Sequence, residues 1–405
     1  MRSKTEDGKL TIFFSGRIDG TNAEQVWSET EDMIKACPGV EPVIDAGDLS
    51  YISSAGIRVL LHIQSISGVK KLTIQNVTRD VYDILSMTGL TEVMNIEKKL
   101  REIDISNAEA VGRGRSSTVY RIENETIIKL YTDGVPLEKI KQELYLAKKA
   151  FLAGIPTPIS YDLVTCGDAY GVVFEMLDHA DTVGHTLTDN PDRFDEIMKK
   201  FVDTFKIVHH AKLSGTEGVE SVKKTWERWA DGMQANGSYT AEETACLKKM
   251  IAAVPDRDTM VHCDFHAGNV MYRNGEIIVI DMADIGYGHP IFDFAGGAFH
   301  ARYSDSPTRQ KVHGMNQENM LRFWDTLLLF YFDVKDEADL AEIKEVFDAF
   351  GLLRGALFPM KHVQISPELK AFHVEETRKH LFPRIDWALS QAGRLGEIFK
   401  EDEIS

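Results

Sequence analysis

The chain has 405 residues, more than one hydrophobic core usually serves, so we expect two or three domains. Hydrophobic residues make up 43% and charged residues 27% of the chain, a composition typical of a folded soluble protein and unlike that of a disordered one. The formal net charge of −17 disfavours nonspecific binding to nucleic acid or to anionic lipid, because both partners would be negative.

The sequence carries no signal for export or for a membrane. Residues 1–10 are polar and charged, and the uncharged apolar stretch at 327–332 is far too short to span a bilayer. The cysteines are scattered and form no C-x-x-C pair, which indicates neither a disulfide framework nor a zinc knuckle. We therefore predict a cytoplasmic protein without a membrane partner.

Residues 1–104 alternate strand and helix patterns. Strand patterns fall at 10–18, around Val43 and Ile44, and at 71–77; helical patterns fall at 22–36, from about Ser54, and at 79–87. A turn is expected at 16–20. This alternation predicts a small α/β domain, a sheet covered by helices. The chain changes character near 103–110 without a Pro- or Ser-rich linker, so we place a second domain at 105–405.

The strongest chemical signal is the segment 261–270, Val-His-Cys-Asp-Phe-His-Ala-Gly-Asn-Val. It places Asp264 and Asn269 on one tight loop, and Asp281 follows the apolar run 277–280. We expect these three oxygen-bearing side chains to converge, and such hard oxygen ligands suit Mg²⁺. Asp264 could also orient an attacking hydroxyl group or accept its proton.

A second signal lies upstream. Gly112 and Gly114 fall in a hairpin pattern at 111–120, where backbone N–H groups can lie close to phosphates. Lys129 sits within the apolar run 126–130, and a cation inside an apolar strand needs a partner. Glu143, in the helical pattern at 137–152, is the natural candidate, because such a pair holds a lysine against the α- and β-phosphates of a nucleotide.

Taken in this order, the glycine hairpin, strand lysine, helix glutamate, His-x-Asp-x-x-x-x-Asn loop and later Ile-Asp resemble the aminoglycoside phosphotransferase and choline kinase superfamily of protein-kinase-like enzymes. The resemblance covers about 105–300 by motif. It implies a bilobal α+β fold, with an N-terminal lobe at about 105–179 and a helix-rich C-terminal lobe at about 180–405. It also implies that the chain binds ATP, with GTP left open, together with Mg²⁺.

The resemblance assigns roles to individual residues. Lys129 and Glu143 correspond to the phosphate-anchoring pair, and Asp264 corresponds to the catalytic base. Asn269 and Asp281 correspond to the Mg²⁺ ligands. Further matches are structural supports and nucleotide contacts: His262 and Asp293 for the catalytic loop, and Glu175 and Met176 for backbone groups that face the base.

The segment after the second metal ligand departs from that of protein kinases. Residues 281–283 are Asp-Met-Ala rather than Asp-Phe-Gly, and no Ala-Pro-Glu segment follows. This favours a small-molecule acceptor. In this superfamily the acceptor pocket lies among helices, which here correspond to 181–255 and 310–400. Asp325 and Asp333 in the latter segment would suit an amine-bearing acceptor, or they form an ordinary solvated face.

The N-terminal domain has its own motif. Residues 48–61 place small polar side chains where a strand gives way to a helix, and Gly16-Arg17-Ile18-Asp19 precedes an earlier polar turn. Together they resemble the STAS domain of bacterial anti-sigma factor antagonists over about 8–100. The resemblance makes Ser54 a candidate phosphorylation site and implies a protein partner. Ser53 stands where many members of that family have aspartate.

We therefore predict a phosphotransferase that moves the γ-phosphoryl group of ATP or GTP to a hydroxyl of a small molecule, with a regulatory STAS-like domain. One alternative is an anti-sigma-antagonist-like interaction protein whose kinase-like domain senses nucleotide or phosphorylates a STAS serine. Another alternative is a hydrolase metal cluster of His262, Asp264 and His266, but it would leave Lys129 and Asn269 unexplained.

Overall fold

Two separate sets of buried apolar side chains divide the chain into two units, residues 1–103 and 104–405. The computed structural model describes residues 1–6, 8–114, 116–132, 134–213, 215, 218–361 and 365–399.

The first unit contains a five-stranded sheet whose strands lie in sequence order. The strands are β1 (Arg2–Glu6), β2 (Lys9–Ile18), β3 (Glu41–Ile52), β4 (Thr73–Val77) and β5 (Asn95–Lys98), followed by the short β6 (Arg101–Glu102). The helices are α1 (Ala23–Ala36), α2 (Ser54–Ser67), α3 (Arg79–Met87) and α4 (Leu90–Val93). Strands β1 and β2 pair antiparallel, and the pairs from β2 to β5 are parallel. The predicted α/β sheet with helices is confirmed.

The strand β1 was not predicted from the sequence. All of its side chains are exposed, so it lacks the apolar alternation that marks a half-buried strand. It pairs with β2 at the edge of the sheet. Strand β3 is longer than predicted and continues to Ile52, whereas β2 ends at Ile18 as predicted and includes the first residues of the expected turn at 16–20.

The second unit begins with an antiparallel sheet. Its strands are β7 (Glu109–Arg113), β8 (Ser117–Glu123), β9 (Thr126–Tyr131), β10 (Ser160–Cys166) and β11 (Ala169–Glu175), and the helix α5 (Leu137–Leu152) follows β9. Strand β9 lies between β8 and β11, and Lys129 faces Val119 on one side and Val172 on the other. A lysine is therefore held in the middle of a sheet.

The rest of the second unit is mostly helical. Its helices are α6 (Val183–Asp189), α7 (Phe194–His210), α8 (Val222–Ala235), α9 (Ala241–Ala253), α10 (Ile291–Arg302), α11 (Pro307–His313), α12 (Gln317–Tyr331), α13 (Glu337–Lys361), α14 (Pro367–His380), α15 (Ile385–Gly393) and α16 (Leu395–Ile398). Its strands are β12 (Asp181–Thr182), β13 (Met260–Val261), β14 (Val270–Arg273), β15 (Glu276–Val279) and β16 (Gly286–Tyr287), and its 3₁₀ turns are Pro191–Arg193, Met282–Asp284 and Phe382–Arg384. Among the described residues, no helix combines the length and apolar character needed to cross a membrane.

Helices α10 and α13 pack closely, and a glycine makes this approach possible. A Cβ atom added at Gly351 of α13 would lie 2.9 Å from the Cβ of Ala298 in α10, a distance that packed side chains do not reach. Any larger residue would push the two helices apart. This packing fixes α13 beside α10, whose first turn contacts the loop 262–269 through Asp293.

Candidate active site

The loop 262–269 joins β13 to β14, and its two oxygen-bearing side chains are hydrogen-bonded to each other. Asn269 Nδ2 donates to Asp264 Oδ2 at 3.0 Å and to the Asp264 backbone oxygen at 3.1 Å. Since the amide nitrogen is occupied in this way, Asn269 Oδ1 is left as an oxygen ligand. The structure therefore brings Asp264 and Asn269 together, as the sequence predicted.

The backbone of this loop is anchored by Asp293, which is buried at the start of α10. Its two carboxylate oxygens accept the backbone N–H groups of His262 at 2.9 Å and Cys263 at 2.6 Å. His209 Nε2 in α7 lies 3.1 Å from Asp293 Oδ2, and Tyr331 Oη lies 2.8 Å from His209 Nδ1. Burial lowers the pKa of His209 and outweighs the nearby carboxylate, so we treat it as a neutral donor to Asp293.

His262 lies fully buried behind the loop, and both of its ring nitrogens bond to backbone groups. Nε2 lies 3.1 Å from the Ile280 oxygen, and Nδ1 accepts from the Asp264 N–H at 3.3 Å. The ring thus connects the loop to the end of the strand before Asp281. No ring nitrogen remains for a metal ion, so the alternative cluster of His262, Asp264 and His266 is not assembled.

Lys129, in strand β9, links the antiparallel sheet of the second unit to Asp281. Its Nζ lies 2.5 Å from Glu143 Oε1 in α5 and 3.0 Å from Asp281 Oδ1, a residue 152 positions further along the chain. Burial alone would lower the pKa of Lys129, but Asp281 and Glu143 outweigh burial and raise it. The lysine is therefore a permanent cation, and it keeps one N–H free for a further acceptor.

Two residues of the site have unusual backbone conformations. Cys263 has φ of 65° and Asp281 has φ of 64°, both in the left-handed region that costs free energy for a residue other than glycine. Cys263 precedes Asp264 directly, and its N–H is held by Asp293. Such conformations persist where the surroundings fix them, which is common at functional sites.

Lys361, at the end of α13, was not predicted from the sequence, yet it contacts Asp264 directly. Its Nζ lies 2.7 Å from Asp264 Oδ1, 3.0 Å from Asp284 Oδ2 and 3.0 Å from the Cys263 oxygen. Burial would raise the pKa of Asp264, but Lys361, and after it His266, hold that pKa well below its ordinary value. Asp264 is consequently ionised across the neutral and mildly acidic range.

A signal for Lys361 was present in the sequence. It is a cation at the end of a helix whose segment 346–360 is largely apolar, and Arg354 is a second cation within that segment. The reasoning that selected Lys129, a cation in an apolar run that needs a partner, applies equally to both. Its partner could not be found this way, because Asp264 lies 97 positions away along the chain.

The predicted nucleotide contacts lie in the hairpin around Gly112 and at the end of β11. Gly114 N–H donates to the Ser117 oxygen at 2.8 Å and closes the hairpin that contains Gly112, while residue 115 at its tip lies outside the described residues. The backbone N–H groups of Glu175 and Met176 bond to the oxygens of Ile159 and Glu125. Of the backbone groups of Glu175 and Met176, only the carbonyls are then available to a base.

Ser54 lies in the first unit, at the first position of α2, with its side chain exposed. Ser53 directly before it caps the helix, because its Oγ accepts the Ala55 N–H at 3.1 Å. The two serines therefore differ: the cap is occupied by a backbone donor, whereas the structure assigns no hydrogen bond to the Ser54 hydroxyl within the described part of the chain.

Comparison with known families matches both units. A family model described as the phosphotransferase enzyme family matches residues 107–321, and a STAS domain model matches residues 1–103. No curated protein matches the chain.

Several solved structures are similar in fold. A choline/ethanolamine kinase family protein from Mesorhizobium loti is 13% identical, with 71% of this chain and 92% of that chain covered and a TM-score of 0.47. The aminoglycoside phosphotransferase APH(2")-IIa bound to gentamicin is 14% identical, with 75% and 96% covered and a TM-score of 0.47. Amicoumacin kinase in complex with AMP-PNP, Ca²⁺ and Ami is 15% identical, with 74% and 92% covered and a TM-score of 0.45.

Proposed function

We propose that this chain, which belongs to the phosphotransferase enzyme family and carries a STAS domain before its phosphotransferase domain, transfers the γ-phosphoryl group of ATP to a hydroxyl group of a small molecule. The pairing of domains predicted from the motifs is confirmed by the two family matches. The observation that carries the proposal is Lys129, held by Glu143 and by the distant Asp281. The class of acceptor and the roles of the individual residues are part of this proposal.

The donor set fits a nucleotide triphosphate with a divalent cation. Lys129 has one N–H left for a phosphate oxygen, and Asn269 Oδ1 and the Asp281 carboxylate provide hard oxygen ligands. Mg²⁺ held by Asn269 and Asp281 would neutralise the negative charge of the phosphates. GTP would satisfy the same groups and is the alternative phosphoryl donor.

Asp264 is proposed to orient the acceptor. Its ionised carboxylate accepts a hydrogen bond from the acceptor hydroxyl and points that oxygen at the γ-phosphorus. A bond forms between the hydroxyl oxygen and the γ-phosphorus while the bond to the oxygen shared with the β-phosphate breaks, leaving ADP. The hydroxyl proton passes to Asp264 and then to solvent. Because Lys361 lowers the pKa of Asp264, proton acceptance follows late in the transfer.

The STAS domain is proposed to regulate this activity through a protein partner, with Ser54 as the switch. Two negative charges at the first position of a helix are tolerated by the local backbone, because the helix N-terminus favours anions. The consequence of phosphorylation would then fall on the exposed surface around Ser54 rather than on the fold.

The test compares Asp264→Asn with Asp258→Asn, an exposed carboxylate upstream of the loop that pairs with Lys212. Amino sugars, choline-like alcohols and sugars are screened for ADP formation with ATP and Mg²⁺, and nucleotide binding is measured by calorimetry. We expect Asp264→Asn to lose about 10²–10⁴-fold in turnover with nucleotide affinity retained, and Asp258→Asn to lose neither. Unaltered turnover in Asp264→Asn would refute the assignment.

A further inference from the structure

Helix α13 carries two buried cations that differ in their partners. Lys361 is bound by two carboxylates. Arg354, about two helical turns earlier and only 4% exposed, forms no ion pair or hydrogen bond with any residue in the described part of the chain, and its Nη1 is fully buried. The faces of three aromatic rings, Trp229, Phe299 and Phe358, lie about 6 Å from its guanidinium group, and the carboxylates of Asp264 and Asp284 favour its charge without forming an ion pair.

A buried guanidinium without an ion pair or a hydrogen bond is uncommon. Arginine cannot release its proton inside a protein, so it cannot escape the cost of burial by becoming neutral. Ring faces at this distance compensate only part of that cost. Buried charges are otherwise paired or bound to a ligand, which makes an anionic ligand the natural partner of Arg354.

Further basic groups surround the same rings. Arg309 lies over Phe299 at 4.6 Å and over Phe358 at 5.3 Å, and it contacts His300 Nδ1 at 3.1 Å. His373 packs against Phe358 at 4.6 Å, and its Nδ1 is buried without a partner in the described chain. We name His300, Arg309, Arg354 and His373 the basic cluster.

The basic cluster is continuous with the candidate catalytic carboxylate. One nitrogen each of His266 and His300 and one oxygen of Asp264 lie within 4.8 Å of one another. The rings of His266 and His313 are 4.5 Å apart, as are those of His300 and His313, and all three histidines line one cavity. His313 Nε2 is buried and lacks a partner among the described residues.

The hydrogen bonds favour an oxygen-bearing ligand over a metal ion here. His266 Nδ1 accepts the Gly268 N–H at 3.1 Å, so its neutral ring carries hydrogen on Nε2. His300 Nδ1 faces a guanidinium nitrogen of Arg309, which can only donate, so the same tautomer results. The His266 N–H then faces Asp264 Oδ2, 3.6 Å away, and His300 keeps an N–H donor that suits the oxygen of a substrate rather than a cation.

The two acidic residues that would have suited an amine each form an ion pair with a lysine. Asp325 is paired with Lys344 at 2.6 Å, and Asp333 is paired with Lys335 at 3.1 Å. In helix α13, Arg354 is the buried cation that has no ion pair or hydrogen bond with any described residue.

We infer that the phosphoryl acceptor is an alcohol that carries an anionic group, a carboxylate or a phosphate, and that the basic cluster binds this group while the hydroxyl lies at Asp264. The inference rests on the proposed function and names its substrate class. Because Arg354 and Lys361 are separated by about 10 Å along the helix axis, the hydroxyl and the anionic group should be separated by a spacer of several bonds.

The test uses probes matched in length that differ only in charge: 6-hydroxyhexanoate, 6-hydroxyhexyl phosphate, 1,6-hexanediol and 6-amino-1-hexanol. Their binding to the full-length protein, loaded with a non-hydrolysable ATP analogue and Mg²⁺, is measured by calorimetry. We expect at least one anionic probe to bind about tenfold or more tightly than the diol, and the amine to bind most weakly. The carboxylate and phosphate arms show which anion is preferred.

Substitutions test whether the basic cluster causes the preference for an anionic probe. Arg354→Gln and Arg309→Gln should each remove most of the anion preference, whereas Arg322→Gln, an exposed arginine paired with Asp195, should keep it. Thermal unfolding and nucleotide binding confirm that each variant is folded; if Arg354→Gln unfolds, Arg309→Gln decides. Equal binding or no binding of all four probes, tighter binding of the amine, or an anion preference that survives both substitutions would overturn the inference.

Failure of the proposed function has a different signature. The same probes are incubated with ATP, and ADP formation is measured. An intact anion preference without phosphoryl transfer to any alcohol supports the basic cluster and counts against the function. Transfer to the amine or the diol without an anion preference supports the function and removes the inference.

Discussion

Two lysines in the second unit each bind two carboxylates, and they do so in different surroundings. Lys129 lies in the middle of strand β9, and its side chain is 17% exposed; its partner Asp281 is 43% exposed. Lys361 lies at the end of helix α13 with its side chain only 4% exposed, and its partners are Asp264 and Asp284. The two clusters thus differ in the exposure of the lysine itself, whereas Asp284, at 44%, is as exposed as Asp281.

This difference in exposure indicates that the two lysines act on different groups. At Lys129 the partly exposed side chain leaves an N–H, and the Asp281 carboxylate beside it, within reach of a ligand. This lysine can therefore exchange a protein partner for a phosphate. Lys361 is enclosed, and its measurable effect is on a neighbour, since it lowers the pKa of Asp264. Substitution of the first should therefore affect nucleotide use, and substitution of the second should affect stability and pH dependence.

The largest effect is expected for Lys361→Met. Removal of this buried cation leaves Asp264 and the partly exposed Asp284 facing each other without their shared partner, which should lower the free energy of unfolding by about 3 kcal/mol. Urea unfolding measures this change. The double variant Lys361→Met with Asp284→Asn should recover part of the loss, because only one carboxylate then remains charged. Wild-type stability of the single variant would contradict a stabilising role for Lys361.

The same variant should change the dependence on pH. In the wild type the pKa of Asp264 is depressed, so the stability from its ion pair is present above the ordinary carboxylate pKa and is lost only as pH falls through the lower, folded value. Without Lys361, burial raises that pKa. The stability deficit of the variant should then grow as pH rises through the raised pKa, and the acidic limb of its turnover should move to higher pH. Superimposed profiles would show that Lys361 does not act through Asp264.

Lys129→Met should have the next largest effect, seen in catalysis. We expect kcat/KM for ATP to fall by about 10²-fold, because a cation that contacts phosphate is removed. The loss of stability should be smaller than for Lys361→Met, since the side chain of Lys129 is 17% exposed and that of Lys361 only 4%. Lys148→Met, an exposed lysine of α5, is the control and should leave both quantities unchanged. A larger stability loss at Lys129 than at Lys361 would reverse the comparison.

Asp293→Asn tests the support beneath Asp264. Both carboxylate oxygens of Asp293 accept backbone N–H groups, and an asparagine must turn its own N–H₂ toward one of those donors. We expect a cost of about 2 kcal/mol and a fall in kcat, with KM for ATP nearly unchanged because the nucleotide groups lie elsewhere. Asp305→Asn, an exposed carboxylate beyond α10, should alter neither. An equal change in kcat and in KM for ATP would argue against a positioning effect.

The smallest effects are expected in the first unit, where no buried ion pair is involved. Ser53→Ala removes the cap of α2 and should cost about 1 kcal/mol, whereas Ser54→Ala should change stability by less than about 0.5 kcal/mol. Differential scanning calorimetry measures both. Incubation with labelled ATP then asks whether Ser54 is modified in the wild type. A Ser54→Ala variant as destabilised as Ser53→Ala would mean that Ser54, too, supports the fold.

Local patterns predicted the elements that carry their own periodicity. The helices at 79–87 and 137–152 have the predicted bounds, because each presents apolar residues at helical spacing. Strand β1 was missed because its side chains all face solvent, so its pairing with β2 is expressed in backbone hydrogen bonds that the residue types do not reveal. The contact of Asp264 with Asn269 was predicted because both residues lie on one short loop.

By itself, the sequence determined which groups must find partners: a lysine in an apolar strand, an arginine and a lysine in an apolar helix, and an acidic loop between strands. Only the tertiary structure decided which partners they find. It joined Lys129 to Asp281 and Lys361 to Asp264, and it left Arg354 among aromatic rings. The physical reason is that burial makes a charge costly wherever it occurs along the chain, whereas the opposite charge that offsets this cost is brought close only by packing of distant segments.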